Sequence, residues 1–182
     1  MKTNLISGHL GAEITDINLA EPTPPQIDYI NQAWLDHKVL VFRNQNITRE
    51  QHIEFGKNFG NLEIHPFAPS PDGHPEVVEI VSNEKVQYAA SNWHSDVTWR
   101  QEPSMGSILR GRVIPAVGGD TSFANTAEAY NRLEPDVKNR VDSLYAIHDF
   151  TRTFGQRMTL EERKKKQEEF PSARHPVIRT HP

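Results

Sequence analysis

The chain has 182 residues, enough for one domain with a sizeable hydrophobic core. Its 20 basic residues against 24 acidic ones give a net charge of −4, so no basic excess attracts nucleic acid or an anionic membrane surface. It contains no cysteine, which excludes disulfide bonds, thiolate zinc sites and cysteine nucleophiles, so any metal site must use histidine and carboxylate ligands.

The sequence also indicates where the protein works. The first eight residues, MKTNLISG, contain no apolar run of signal-peptide length, and no segment approaches the ~20 apolar residues that span a bilayer. We therefore expect a cytoplasmic protein with no nucleic-acid partner and no membrane partner. Whether it forms a homo-oligomer stays open.

Helical and strand patterns alternate in the amino-terminal part. The predicted elements are a weak strand within 10–19, a helix capped by Thr23, a buried strand at 39–42 and a helix from the Thr48–Gln51 capping box to about Phe59. A proline-rich segment, 65–75, then forbids regular structure, as expected of a loop that carries binding groups.

Short strands dominate the remainder. They are predicted at 77–81, 107–113, 121–123, 145–148 and 177–179, with two short helices between 126 and 144. The run EERKKK at 161–166 is best explained as a solvated helix face, because acidic residues flank its basic ones. Many short strands with helices set apart from them indicate a β-rich α+β domain.

The stretch with most chemical potential is NWHSDVTW at 92–99, which has the pattern of a strand. Alternate side chains of a strand share a face, so His94 and Asp96 would point the same way. Asn92 and Thr98 would join them, while Trp93, Val97 and Trp99 would pack on the opposite face.

A histidine and an aspartate on one face can supply two ligands of the 2-His-1-carboxylate arrangement that holds Fe(II). Short patterns recur by chance, so a structural or surface His-x-Asp is the competing interpretation. Hydrolytic zinc chemistry is a weaker alternative, because no His-Glu-x-x-His motif is present.

Further motifs accompany this one in a fixed order along the chain. They are GAEI at 11–14, HKVLVFR at 37–43, FG at 59–60, IHP at 64–66, NWHSDVT at 92–98, Pro115, GGDT at 118–121 with AN at 124–125, HDF at 148–150 and HPVIRTHP at 175–182. Together they resemble the iron(II)- and 2-oxoglutarate-dependent dioxygenases of the taurine dioxygenase and 2,4-dichlorophenoxyacetate dioxygenase family.

The resemblance implies a fold, namely a double-stranded β-helix, the jelly-roll or cupin-like barrel, with flanking helices in one domain over 1–182. Family members continue further, so the barrel is expected to be incomplete at its carboxyl end. The distal histidine ligand and the arginine that engages the keto acid belong to that missing portion. Neither His175 nor His181 is therefore assigned as the third metal ligand.

The resemblance also implies an activity. His94, through a neutral ring nitrogen, and Asp96, as a carboxylate, would hold Fe(II), and Thr121 would donate to 2-oxoglutarate. Dioxygen and the keto acid would yield succinate and CO2 while a small organic anion is hydroxylated, with no catalytic residue beyond the metal ligands. Alternatively, the chain is an inactive fragment or a metal- or small-molecule-binding module, and Thr121 is only a strand residue after a Gly-Gly turn.

Substrate contacts are implied for His65, Asn92, Val97 and Phe154, although His65 could be an exposed loop residue without function and Phe154 a core residue. The chain has Ala68 and Ala90 where taurine dioxygenases have a tyrosine and an asparagine. Both differences remove hydrogen-bonding groups and enlarge the pocket. We therefore predict a bulkier or more apolar anion than taurine: a longer sulfonate, an alkyl sulfate or an aryloxy acid.

Overall fold

The computed structural model describes residues 1–83 and 92–180, apart from the side chain of Arg157. These residues form two compact units. The first contains Met1–Ile64 and Leu109–Arg132, and the second contains the rest of the described chain.

The first unit is built on a three-stranded sheet. Strand β1 (Lys2–Leu5) runs antiparallel to β2 (Ala12–Thr15), which pairs in parallel with β3 (Leu40–Val41). A parallel pair needs a crossover, which helix α1 (Pro24–His37) supplies. The weak alternation within 10–19 thus corresponds to β2, whose alternate residues Ala12 and Ile14 are buried, whereas β1 was not predicted.

Both predicted helix starts in this unit are confirmed. At α1 the backbone N–H of Thr23 donates to Oε1 of Gln26 at 2.8 Å. At α2 (Arg49–Lys57) the backbone N–H of Gln51 donates to the hydroxyl of Thr48 at 3.2 Å. Such side chains satisfy donors that lack partners at a helix start. The two helices enclose a core formed by Leu19, Ile27, Ile30, Ile47 and Phe55.

Helix α3 (Thr126–Asn131) completes the first unit. The side chain of Asn125 accepts from the N–H of Glu128 at 3.0 Å, and its amide donates to the carbonyl of His9 at 2.9 Å. This asparagine therefore caps the helix and ties it to the loop between β1 and β2.

The second unit contains α4 (Pro135–Val141), β4 (Tyr145–His148), α5 (Leu160–Glu169) and β5 (Ala173–Pro176), with 3-10 turns at Phe150–Arg152 and Gly155–Arg157. Strands β4 and β5 pair antiparallel, with Ala146 opposite His175 and His148 opposite Ala173. Helix α5 has no buried residue, which confirms the solvated face predicted for 161–166.

Aromatic rings form the core of this unit. The aromatic cluster consists of Phe67, Trp99, Phe150, Phe154 and Phe170, with the imidazole of His65 beside it. Phe150 stacks on Phe67 with ring centroids 4.7 Å apart and is 1% exposed. The cations of Lys166 and Arg100 lie 5.3 Å and 5.6 Å from the Phe170 ring, so they cover the cluster with favourable cation–π contacts.

A single carboxylate joins three segments of the second unit. Asp149 accepts from the N–H of Thr151 at 2.7 Å and from the hydroxyl of Ser172 at 2.6 Å. Burial raises the pKa of this carboxyl, but the hydrogen bonds, including one from Gln167, outweigh burial and lower the pKa to about 2.

The structure confirms the α+β character and the strand at 145–148, and it corrects several other strands. The segments 77–81, 107–113 and 121–123 have no regular structure, since no partner strand within the described residues completes a hydrogen-bond ladder with them. The last strand lies at 173–176 rather than 177–179. The two small sheets do not close into a barrel in the described part of the chain. No helix there is long and apolar enough to cross a bilayer.

We expect Phe150→Ala to lower the free energy of unfolding by about 3 to 5 kcal/mol, because it removes a buried ring and leaves a cavity. Urea unfolding followed by circular dichroism measures this change. Ile147→Ala, which truncates an exposed side chain of β4, is the matched control and should cost little. A Phe150→Ala loss no larger than that of the control would contradict a core centred on this ring.

We expect Asp149→Asn to destabilise the protein by roughly 1 to 2 kcal/mol at pH 7, because the folded state holds the carboxylate with a depressed pKa. The contribution is complete above the unfolded pKa near 3.8 and disappears as the pH falls towards 2. Urea midpoints of both proteins between pH 7 and pH 2.5 test this. Asp72→Asn, an exposed carboxylate of the same unit, controls for net charge. A difference that does not shrink on acidification would be the contrary result.

Candidate metal centre

The stretch 92–99 is a turn and not the predicted strand. Residues 96–99 form the turn, which is closed by a hydrogen bond from the N–H of Arg100 to the carbonyl of Val97 at 3.0 Å. Val97 has a φ of 52°, a conformation that costs a β-branched residue about 1 to 3 kcal/mol. The two-face prediction fails as a result, since Trp93 is 73% exposed while Trp99 is buried.

The turn nevertheless brings the predicted ligands together. Nε2 of His94 lies 3.4 Å from Oδ1 of Asp96, and the two side chains are 53% and 60% exposed. On the far side of the ring, Nδ1 of His94 lies 2.7 Å from the carbonyl oxygen of Asn92. A carbonyl only accepts, so Nδ1 carries a hydrogen and, in the neutral ring, Nε2 directs a lone pair towards Asp96. Asn92 thus acts on the site through its backbone.

Ser107 orients Asp96, the second member of the pair. Its hydroxyl donates to Oδ2 of Asp96 at 3.1 Å, which leaves Oδ1 facing His94. Groups that orient a ligand from behind are a regular feature of metal sites. Ser107 was not identified as a site residue, because nothing in the sequence relates it to a carboxylate eleven residues earlier.

The donor set and its spacing suit a metal ion. Neighbouring ligands of an octahedral ion, each ~2.1 Å from it, lie ~3.0 Å apart, so the observed 3.4 Å needs only a small adjustment. An imidazole nitrogen and a carboxylate oxygen that face each other can share a proton, or they can bind a metal cation between them. Within 1–83 and 92–180, no three His, Cys, Asp or Glu residues are grouped to hold a metal, so the structure presents two protein ligands.

Two histidines of the small sheet support the far end of the turn. Nδ1 of His148 lies 2.9 Å from the hydroxyl oxygen of Thr98, and Nε2 of His175 lies 2.9 Å from the carbonyl oxygens of both Thr98 and Arg100. Burial, together with the neighbouring His175, lowers the pKa of His148 below its ordinary value, so this ring is neutral at pH 7. The histidines were not predicted as site residues, because the contacts join positions 50 to 77 residues apart.

His65 and Phe154, both predicted substrate contacts, lie together in the second unit. Their ring centroids are 5.2 Å apart, and Trp99 lies 6.3 Å from His65. The backbone N–H of Phe67 donates to Nδ1 of His65 at 3.2 Å. The neutral His65 ring therefore carries its hydrogen on Nε2, as a donor to an anion requires. Phe154 also stacks on Phe67, so its membership of the aromatic core is confirmed.

The remaining predicted residues are less informative. Thr121 is exposed in an irregular segment of the first unit, and its role stays a prediction. Gly118 and Gly119 precede it with φ of 80° and 74°, so these glycines form a turn. Val97 is half-buried within the turn, and Ala68 is half-buried beside Phe67. Ala90 and His181 lie outside the described residues.

Comparison with known proteins gives these features a family context. The chain is 35% identical over 186 residues to the alkylsulfatase of Acinetobacter baylyi, which covers 97% of this chain and 58% of that protein. It is 37% identical over 143 residues to the (S)-phenoxypropionate/alpha-ketoglutarate-dioxygenase of Sphingobium herbicidovorans, which covers 76% of this chain and 50% of that protein. The chain spans about half the length of the curated relatives it matches.

A solved structure extends the likeness to three dimensions. A taurine dioxygenase from Burkholderia xenovorans superposes with a TM-score of 0.79 at 34% sequence identity, over 100% of this chain and 59% of that one. The model of the taurine catabolism dioxygenase TauD, TfdA family matches residues 2–182. The paired His94 and Asp96 therefore lie in a chain that belongs to the TauD, TfdA family of dioxygenases.

Proposed function

We propose that the protein is an Fe(II)- and 2-oxoglutarate-dependent dioxygenase that hydroxylates a small organic anion. The observation that carries this proposal is the 3.4 Å approach of His94 Nε2 and Asp96 Oδ1, each oriented from behind by a hydrogen bond. Family membership supplies the chemistry to which that pair belongs. When Fe(II), 2-oxoglutarate and dioxygen are bound, such a centre supplies decarboxylation of the keto acid to succinate and CO2, coupled to oxidation of a substrate C–H bond.

Some residues of this chain would bind the metal ion, and others would orient those ligands. His94 and Asp96 would hold Fe(II), while the Asn92 carbonyl fixes the tautomer of His94 and Ser107 fixes the rotation of Asp96. Thr121 is proposed to donate to the distal carboxylate of 2-oxoglutarate. Two protein ligands in the described residues leave the third protein ligand unassigned.

The surroundings of His65 support an anionic substrate with an apolar body. The Nε2 hydrogen of His65 is a donor for a sulfate, sulfonate or carboxylate group. The rings of Phe154 and Phe67 lie 5.2 Å and 6.1 Å from the His65 ring, and such apolar surroundings favour alkyl or aryl groups over a short polar chain. The relatives named alkylsulfatase and (S)-phenoxypropionate/alpha-ketoglutarate-dioxygenase are consistent with this class. We propose an alkyl sulfate, a longer sulfonate or an aryloxy acid.

Several broader expectations accompany this proposal. A jelly-roll barrel agrees with the fold likeness to taurine dioxygenase, although the described strands form only two small sheets. A single domain over 1–182, a cytoplasmic location, and the proposed substrate roles of Val97 and the Asn92 side chain stay predictions.

Anaerobic addition of Fe(II) and 2-oxoglutarate tests the metal centre directly. In the protein expressed from its complete coding sequence, we expect the visible charge-transfer band of the iron-bound keto acid. Asp96→Ala should abolish it by removing one of the ligands that hold the iron.

Two further variants serve as comparisons for this measurement. Ser107→Ala removes only the group behind Asp96 and should raise the half-saturating Fe(II) concentration by roughly 10-fold. Asp72→Ala removes an exposed carboxylate elsewhere in the same unit and should leave the band unchanged. A band that persists in Asp96→Ala would contradict the proposal. So would a native protein that shows no band but binds Zn(II) tightly. The second result would instead favour a metal-binding module.

A substrate preference follows from the aromatic surroundings of His65. We expect release of succinate with an alkyl sulfate or an aryloxy acid to exceed that with taurine by at least ~10-fold in kcat/KM, because apolar burial of several methylenes is lost with taurine. Ala68→Tyr should reduce this preference by filling space beside Phe67, whereas Ala68→Ser, which hardly changes side-chain volume, is the control. Equal turnover of taurine together with inertness towards the other anions would contradict the assignment.

A further inference from the structure

The turn that carries His94 and Asp96 needs support that its own hydrogen bonds do not supply. Its ligand side chains are more than half exposed, and its closing bond, from Arg100 N–H to Val97 carbonyl, spans only three residues. Val97 sits at a φ of 52°, which a β-branched residue leaves readily once its surroundings relax. Some other contact must keep this turn in the form that pairs the two ligands.

His175 provides such a contact. It is 8% exposed, and its Nε2 lies 2.9 Å from the carbonyl oxygen of Thr98 and 2.9 Å from that of Arg100. Carbonyl oxygens only accept, so Nε2 carries a hydrogen that both carbonyls share. The two carbonyls flank Trp99 and converge on one atom only when the backbone between them is curled. The imidazole therefore fixes the end of the turn.

His148 adds a second attachment to the same residue. Its Nδ1 lies 2.9 Å from the Thr98 hydroxyl oxygen, and its ring packs edge-on against that of His175 with centroids 5.2 Å apart. In the β4–β5 register His148 is opposite Ala173, two residues from His175, so the rings are diagonal neighbours on one face of the sheet. We call His148, His175 and the Thr98–Arg100 backbone the histidine clamp.

We propose that the histidine clamp positions the metal-binding turn: His175, assisted by His148, holds the Thr98–Arg100 backbone and thereby keeps His94 and Asp96 at the separation that binds a metal ion. The proposal rests on the proposed function for its metal. Neither histidine is a ligand, and both act through Thr98, which lies two residues from Asp96. They are positioning residues.

The clamp can be tested in the purified metal-free protein by hydrogen–deuterium exchange of peptides covering 92–107. His175→Phe keeps an aromatic ring but has no donor, so exchange of the Arg100 amide should quicken by at least ~10-fold as the turn opens. His175→Gln offers a side-chain N–H in place of the ring nitrogen and should restore most of the protection. Arg174→Ala alters the neighbouring exposed residue of β5, which packs on Tyr145 and not on the turn, and should leave exchange unchanged.

The effect on the site is measured by calorimetric titration with Mn(II) alone. We expect His175→Phe to weaken Mn(II) binding by roughly 10-fold or more, His175→Gln to return it to within about threefold of native, and Arg174→Ala to match native. A melting temperature for each variant separates this pattern from general destabilisation. A role confined to stability would lower the melting temperature and leave the Kd for Mn(II) unchanged.

Thr98→Val and Thr98→Ser give a second route if the His175 variants fold poorly. Valine removes the hydroxyl that meets His148 and should weaken Mn(II) binding by a smaller factor, about threefold, whereas serine retains the hydroxyl and should bind as native does.

Unchanged exchange in both His175→Phe and Thr98→Val would overturn the clamp. Faster exchange with a native Kd for Mn(II) would overturn its link to the metal site. Failure of the native protein to bind Mn(II) contradicts the proposed function and the metal half of this inference, while the exchange measurement still decides whether the clamp exists.

Discussion

The 3.4 Å approach of Nε2 of His94 to Oδ1 of Asp96 is the interaction on which the proposed metal centre depends. A shared proton or a bound cation stabilises such a pair, and each group is also held from its far side. The carbonyl of Asn92 does so for the imidazole and the hydroxyl of Ser107 for the carboxylate. These two contacts restrict the rotation of both side chains and so keep Nε2 of His94 close to Oδ1 of Asp96.

The same short turn connects this polar site to two different kinds of support. Trp99 inserts its ring among Phe67, Phe150 and Phe170, so apolar burial anchors the middle of the connection. The carbonyls on either side of Trp99 bind His175, so directional hydrogen bonds set its orientation. Burial alone would fix where the turn lies but not how its backbone is rotated. The combination explains how the exposed side chains of His94 and Asp96 can be positioned without a strand beneath them.

The sequence predicted the features that depend on interactions between neighbouring residues. Thr23 caps a helix as predicted, Thr48 begins one where its spacing to Gln51 indicates, and His94 and Asp96 do come together. The strand predicted at 92–99 was wrong because Val97 has a positive φ, which reverses the direction of the chain. Valine by itself prefers an extended backbone, so only tertiary contacts can impose this conformation. The last strand was placed too late for a similar reason, since buried Ala173 and His175 outweigh the β-branched pair that follows them. The roles of Ser107, His148 and His175 carried no signal in the sequence beyond the family motifs.

The sequence separations of the hydrogen bonds around the turn have a further consequence. The contacts that orient the two ligands span 2 and 11 residues, whereas those that hold the backbone behind them span 75 and 77. Loop closure over short separations is fast and costs little entropy, so His94 and Asp96 can meet these partners before distant parts of the chain have folded. The contacts of His175 with the Thr98 and Arg100 carbonyls form only once β5 has paired with β4. The contacts of the two side chains themselves thus depend on nearby residues, whereas the contacts of the backbone behind them depend on a distant strand.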